Sequence, residues 1–496
     1  MVGVPGRSKG CKTCRRRKIK CDMQEPQCGQ CRKSSRQCEG FKKEIAFIHR
    51  TPQGLLRKGE ERSQKPAPWE TPVSSGQDQS GVTSIWVVNM PPQPNCASIY
   101  LDGMLNTFLR AYLPSSSILK PTQHANKITT PAASWMRVAI TLPNRGSLLT
   151  VALRALCMTK TAREIGDQVL LRQGMTEHGR GLRMLQHVIN DKNKAILDET
   201  QAAIRVLATY ELHEGTIGSI AGWTSHQEAV DQIVQLRGSS YSEYESELAY
   251  ALLAETRRSA MMRGLQFFKA SFLGEDRWCA EPWGDKPKDY VQQLYDIGLV
   301  LPFIFEELRE IKDLRKDPRR EQIQQRCQRI DSRFHAWHDN LLNIFSVLPY
   351  CEQPAELISR SADISPGTFT TSFDFLNLHV ADAMAFFWSL RILLHAISRG
   401  LSIAQGAVTQ DSDAEIMSCA CNIAKSVPYF TQLTTGFQGM QWLIFPLKTA
   451  LSAFRQLGWH NEWQWTKDVL VAMKNRGFRY GEDIVELHWG KRDIQG

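Results

Sequence analysis

Residues 11–21 read Cys11-Lys12-Thr13-Cys14-Arg15-Arg16-Arg17-Lys18-Ile19-Lys20-Cys21. A loop containing Pro26 follows, and residues 28–38 read Cys28-Gly29-Gln30-Cys31-Arg32-Lys33-Ser34-Ser35-Arg36-Gln37-Cys38. Both halves have the spacing C-x2-C-x6-C, and the second repeats the first at an offset of 17 residues. Nothing else in the 496-residue chain is as regular.

The charge is concentrated on the same stretch. Residues 1–50 carry 14 Lys/Arg and 4 Asp/Glu, which accounts for the whole net charge of +10. The remaining residues hold 47 basic and 47 acidic side chains. A small basic module beside a neutral body points to a polyanionic partner for that module alone.

Thiolates are soft ligands that suit zinc, and structural zinc is four-coordinate and tetrahedral. Six sulfurs satisfy two ions only if two of them bridge. The repeat selects the leading cysteine of each half, Cys11 and Cys28, as the bridging pair. Cys14 and Cys21 then complete one site, and Cys31 and Cys38 the other. A 28-residue segment has almost no apolar core, so metal binding supplies its folding energy. A six-cysteine disulfide framework is the alternative in secreted proteins. The first residues, Met-Val-Gly-Val-Pro-Gly-Arg, lack the apolar stretch of a secretory signal. Metal storage alone would not need the basic run between ligands.

This segment resembles the fungal Zn(2)-C6 binuclear cluster transcription factors. The resemblance rests on the six cysteines at these spacings, on residues 15–20 between the second and third, and on Pro26. It implies two zinc ions per chain held by two short helices, each starting within a C-x2-C. It also implies that the first helix points its C-terminal end into the major groove of double-stranded DNA at a CGG triplet. Lys18 would then donate to the guanines, helped by Arg17, and Pro26 would turn the loop. The residues agree with this, because guanine presents N7 and O6 as acceptors and Lys and Arg are natural donors. The offset sets Arg17 and Lys18 against Ser34 and Ser35, so only the first half keeps a basic pair at its helix tip. Arg15, Arg16, Lys20, Arg32, Lys33 and Arg36 are candidates for phosphate contacts, which position without specifying.

Outward from the cluster, residues 1–10 read as a basic arm and 39–95 as a disordered linker, rich in Pro, Gly, Ser and Gln. No sustained heptad follows the cluster, so zipper pairing is not expected. Monomer binding and a homodimer through the helical body both stay open.

Residues 96–496 read as a large all-α regulatory domain. Leu101, Met104, Leu105, Phe108, Leu109 and Tyr112 mark one apolar helical face. Similar stretches cover 147–163, 167–190, 196–213, 224–237, 243–269, 288–312, 319–345, 373–398, 412–430, 439–457 and 461–474. No alternating strand pattern stands out. The apolar runs Ile297–Phe305 and Ala383–Leu390 are far shorter than a membrane span needs, so no membrane is expected. The whole chain reads as all-α, soluble and intracellular.

The body also resembles, more weakly, the helical regulatory domain found behind many fungal zinc clusters. The resemblance rests on Gly222-Trp223-Thr224-Ser225-His226 running to Leu236-Arg237-Gly238, on Trp278 to Pro282-Trp283, and on Phe445-Pro446-Leu447. It implies regulation, in some members through a small-molecule effector or a protein coregulator. No nucleophile elbow, HExxH, phosphate loop or dinucleotide fingerprint is present, so the chain is not read as an enzyme. His335 and His338 read as a surface pair, Cys419 and Cys421 as core thiols, and His226 as structural. The tail Tyr480–Trp489 reads as a final amphipathic helix, with a short activation segment as the alternative. The expected function is a nuclear, sequence-specific DNA-binding regulator of RNA polymerase II transcription. A zinc- or redox-responsive sensor built on the same cluster is the alternative.

Overall fold

The structure is a computed structural model of the chain. It describes residues 11–38 apart from 18, 23, 25, 26 and 35, then 96–114, 134–142, 146–214, 221–345, 347–355 and 368–475. The expected arm 1–10, the linker 39–95, Lys18, Pro26, Ser35 and the tail 480–489 lie outside the described residues, as does the side chain of Arg15. The chain divides into two units, Met1–Asn89 and Met90–Gly496.

Within the first unit, α1 (Lys12–Arg16) and α2 (Gly29–Lys33) are single-turn helices. Helices this short do not hold themselves in water. Their core is sulfur: Cys11, Cys14, Cys28 and Cys31 are fully buried, with Cys21 and Cys38 packed against them.

The second unit is helical. It comprises α3 (Cys96–Tyr112), α4 (Trp135–Thr141), α5 (Ser147–Ile165), α6 (Gln168–Val188), α7 (Lys192–Ala195), α8 (Asp198–Glu214), α9 (Ala221–Arg237) and α10 (Glu247–Phe267). There follow α11 (Asp276–Ala280), α12 (Tyr290–Gly298), α13 (Leu301–Glu310) and α14 (Arg319–Ile344). After a hairpin come α15 (Leu378–Ala404), α16 (Gln410–Phe430), α17 (Gly436–Gln456) and α18 (His460–Asn475).

The joint between α5 and α6 shows how local chemistry sets the path. Gly166 takes the left-handed conformation (φ +73°) that ends α5. Asp167 then caps α6, its carboxylate accepting from the Val169 and Leu170 amides. Leu171, Gly174, His178, Gly181 and Leu185 form the buried face of α6. At Gly174 an added Cβ would lie 2.3 Å from Thr159 Oγ1, so only glycine permits this close approach to α5.

Two expectations are corrected. The stretch 288–312 is two helices, because Pro302 in the first turn of α13 has no N–H to continue α12. Residues 373–375, read as the start of a helix, belong instead to a strand. Strands β1 (Tyr350–Pro354) and β2 (Thr371–Phe375) pair antiparallel, with Tyr350 opposite Phe375 and Glu352 opposite Phe373. Phe373 stacks on Trp388 of α15 (centroids 5.4 Å), and Phe375 meets Tyr429 of α16 (5.1 Å). Aromatic packing onto helices stabilises a hairpin too small to stand alone.

Helix α15 is the centre of this unit and packs against α12, α14, α16 and α17. It is long and apolar enough to cross a membrane by length and composition, yet 89% of its apolar window is buried among the other helices. Asp382 and Arg391, which interrupt its apolar run, are both paired. Arg258 of α10 donates to Asp382 at 2.8 Å. Arg391 lies 3.4 Å from both Asp331 and Glu415.

Candidate metal centre and nucleic-acid interface

Each half of residues 11–38 builds the same small device. The Cys14 amide donates to Cys11 Sγ at 3.4 Å, and the Cys31 amide to Cys28 Sγ at 3.4 Å. The Ile19 amide donates to the Cys14 carbonyl (3.1 Å) and the Arg36 amide to that of Cys31 (3.0 Å). Each of these pairs differs by 17 positions, so the sequence repeat is also a repeat of backbone geometry.

The sulfurs converge in two groups. Cys11, Cys14, Cys21 and Cys28 form one, and Cys11, Cys28, Cys31 and Cys38 the other, with the sulfurs of each group within 4.8 Å of one another. Cys11 and Cys28 are common to both. Their sulfurs are 3.6 Å apart, Cys14 to Cys28 is 3.6 Å, and Cys11 to Cys31 is 3.8 Å. Four sulfurs held about 2.3 Å from a zinc ion stand about 3.8 Å from each other. The donor set therefore fits two tetrahedral zinc ions sharing two thiolates. Burial pushes the Cys11 thiol up to about 12 and raises Cys14 and Cys28 as well. A buried thiolate needs a neighbouring cation, and a divalent ion supplies that charge.

Side chains outside the sulfur set join the halves. Thr13, buried near the start of α1, donates through Oγ1 to the Gln37 carbonyl at 3.2 Å. Asp22 Oδ1 accepts from the Gly29 amide at 3.0 Å, at the start of α2. An added Cβ at Gly29 would lie 2.3 Å from Asp22 Oδ2, so a side chain there would displace the carboxylate that accepts from this amide. Arg17 Nη1 donates to Ser34 Oγ at 3.0 Å. Sequence reasoning assigned Thr13, Asp22 and Gly29 no role and treated Ser34 only as the lack of a cation. The signal that could have found the last contact was the 17-residue offset itself.

Of the candidate nucleic-acid contacts, Arg16, Lys20, Arg32, Lys33 and Arg36 are exposed and Arg17 is half-buried. Lys18 and the Arg15 side chain are outside the described residues.

In the helical unit His335 and His338 do not converge on one point. His335 faces Asp331 at 3.5 Å, whereas His338 stacks on Phe387 and meets the Tyr350 hydroxyl at 3.1 Å. His338 is thus packed inward rather than a surface group. Cys419 is buried and Cys421 half-buried. His226 is buried in α9, and desolvation pushes its ring down to about 4. Trp278 and Trp283 are buried, and the Arg257 guanidinium lies 4.6 Å over the Trp283 ring. Phe445 stacks on Phe386. These signature residues are core.

Comparison with known proteins bears on the sulfur-rich segment. Residues 9–45 match the family model of the fungal Zn(2)-Cys(6) binuclear cluster domain. An uncharacterized transcriptional regulatory protein of Schizosaccharomyces pombe is 62% identical over 32 residues, which is 6% of this chain and 6% of that protein. The match thus spans a small part of either length. No solved structure matches the chain. The segment is a fungal-type binuclear zinc cluster domain and binds two zinc ions.

Proposed function

We propose that the chain is a nuclear, sequence-specific DNA-binding regulator of RNA polymerase II transcription that reads CGG-type sites in the major groove. The observation that carries this reading is the pair of four-sulfur groups sharing Cys11 and Cys28, in the same short segment as exposed Arg16, Lys20, Arg32, Lys33 and Arg36. The zinc ions supply the charge and cross-linking that fold the segment; the cations around them meet the duplex. Lys18, with Arg17, donates to guanine N7 and O6. Arg15 and the five exposed cations meet phosphates, and Arg17 begins where α1 ends. The family model and one relative named for transcriptional regulation support the reading through the cluster segment alone.

In this reading residues 1–10 are a basic arm, 11–38 the DNA-binding cluster, 39–95 a connecting segment and 96–496 the regulatory domain. The regulatory domain recruits coregulators, pairs two chains or takes a small-molecule effector; its buried aromatic and ionic core supplies the scaffold for such a role.

The test is binding of the zinc-loaded full chain to a duplex containing CGG and to one with the triplet changed, at fixed salt. Discrimination of about 1–3 kcal/mol per changed base pair is expected, and Lys18→Ala should abolish it while two zinc ions stay bound. Equal affinity of the wild type for both duplexes overturns the CGG reading. Unchanged discrimination by Lys18→Ala overturns the role of Lys18.

A further inference from the structure

Arg17 and Ser34 occupy equivalent places in the two halves of the cluster, each just beyond the last residue of its short helix. By sequence, one half has a reader there and the other has lost it. The hydrogen bonds between them say more. Ser34 Oγ lies 2.8 Å from the Gln30 carbonyl and 3.2 Å from the Cys31 carbonyl, and 3.0 Å from Arg17 Nη1. A carbonyl can only accept, so the single hydroxyl hydrogen points into the backbone of α2. A guanidinium can only donate, so it meets the hydroxyl lone pairs. The direction of the chain is therefore fixed: Arg17 to Ser34, then Ser34 to the main chain of α2.

This relay ends on a rigid point. The Cys31 carbonyl also accepts the Arg36 amide, and Cys31 is itself one of the clustered sulfur residues. An arginine on the surface is ordinarily free to swing through many rotamers. Here the second half holds its guanidinium, while its other N–H donors are not used by Ser34. Arg17 is only half-buried, so part of its side chain stays accessible from solvent. Its neighbour in the chain is Lys18, at the tip proposed to enter the groove.

We infer that Ser34 is a positioning residue for base recognition: it aims the Arg17 guanidinium at the edge of a guanine in duplex DNA, so the half that carries no basic pair still sets sequence preference. This rests on the DNA-binding reading above. Preorganised donors lose less on binding than mobile ones, and a misaimed fork forfeits discrimination rather than general affinity.

The experiment uses zinc-loaded full-length protein, with fluorescence anisotropy on a CGG duplex and on a triplet-altered duplex at one salt concentration, and zinc content measured for every variant. Arg17→Ala should lower the ratio of the two affinities by about tenfold, as for loss of a charge-assisted hydrogen bond. Ser34→Ala should lower the same ratio, less or equally, with two zinc ions retained. Ser34→Thr, which keeps the hydroxyl, should restore it. Adding Ser34→Ala to Arg17→Ala should cost nothing further.

The inference is overturned if the two losses multiply in the double variant. It is equally overturned if Ser34→Ala weakens both duplexes alike, or if it releases zinc, since Ser34 is then a structural staple. A wild type that discriminates while Ser34→Ala matches it sinks the inference alone. A wild type that does not discriminate sinks the CGG reading and this inference together.

Discussion

Cys11 Sγ lies 3.6 Å from Cys28 Sγ, and these two sulfurs are the members common to both four-sulfur groups. Residues 17 apart in sequence thus meet at the centre of the segment. Every other cysteine of the set serves one group.

That difference gives a stoichiometry prediction. Cys21→Ser removes a ligand from one ion and should leave a second zinc tightly held. Cys11→Ser removes a ligand from both and should leave neither tightly held against a chelator competing at equilibrium. Elemental analysis after chelator dialysis reads the outcome. Equal zinc retention by the two variants would contradict the sharing of Cys11.

Arg36 is exposed and lies in the half lacking a basic pair at its tip. Arg36→Ala should weaken binding to all duplexes alike. The slope of log affinity against log salt should become shallower by about one. Titrations at several salt concentrations decide it, and a loss confined to CGG duplexes would reassign Arg36 to base contact.

Arg258 and Asp382 are a buried pair within the helical unit, 5% and 3% exposed. The Arg258 guanidinium also lies 4.9 Å over both Phe386 and Trp442. Asp382→Ala strands that cation in the core and should cost about 3–5 kcal/mol in urea unfolding followed by helicity. Combining Arg258→Met with Asp382→Leu should recover much of the loss, because apolar side chains need no counter-charge. A cost below about 1 kcal/mol for Asp382→Ala would mean that the pair is hydrated in solution.

Desolvation pushes His226 down to about 4 from its ordinary 6.5. The unfolded chain therefore takes up a proton near pH 6.5, whereas the folded chain holds this ring neutral until about pH 4. Its contribution is complete above pH 6.5 and is lost as pH falls through that window, on the order of 3 kcal/mol in all. His226→Gln should make helical-unit stability less steep between pH 7 and pH 4.5 in urea titrations. Parallel curves for variant and wild type would show that another group carries the acid sensitivity.

The cluster was legible because its determinants are local. Ligand spacing, the basic run and the repeat all lie within 28 residues, and a metal imposes one geometry on them. The helical periods were legible for the same reason, since a face recurs within each helix. The hairpin was not. Tyr350 pairs with Phe375 across 25 positions, and neither five-residue strand shows enough alternation to compete with the helical pattern of α15. The break between α12 and α13 could have been read from Pro302, but the apolar run through it concealed the stop.

By itself, then, the sequence determined the metal-binding character of residues 11–38, the concentration of positive charge there and an all-α body behind it. These follow from side-chain chemistry repeated at short intervals. Only tertiary structure decided that Arg17 rests on Ser34, that Asp22 holds the start of α2, and that α15 is a buried core helix with Asp382 paired to Arg258. The first two join residues 17 and 7 positions apart and depend on side-chain directions that the sulfur cluster imposes; the last joins residues 124 positions apart, whose meeting is set by helix packing rather than by period or composition.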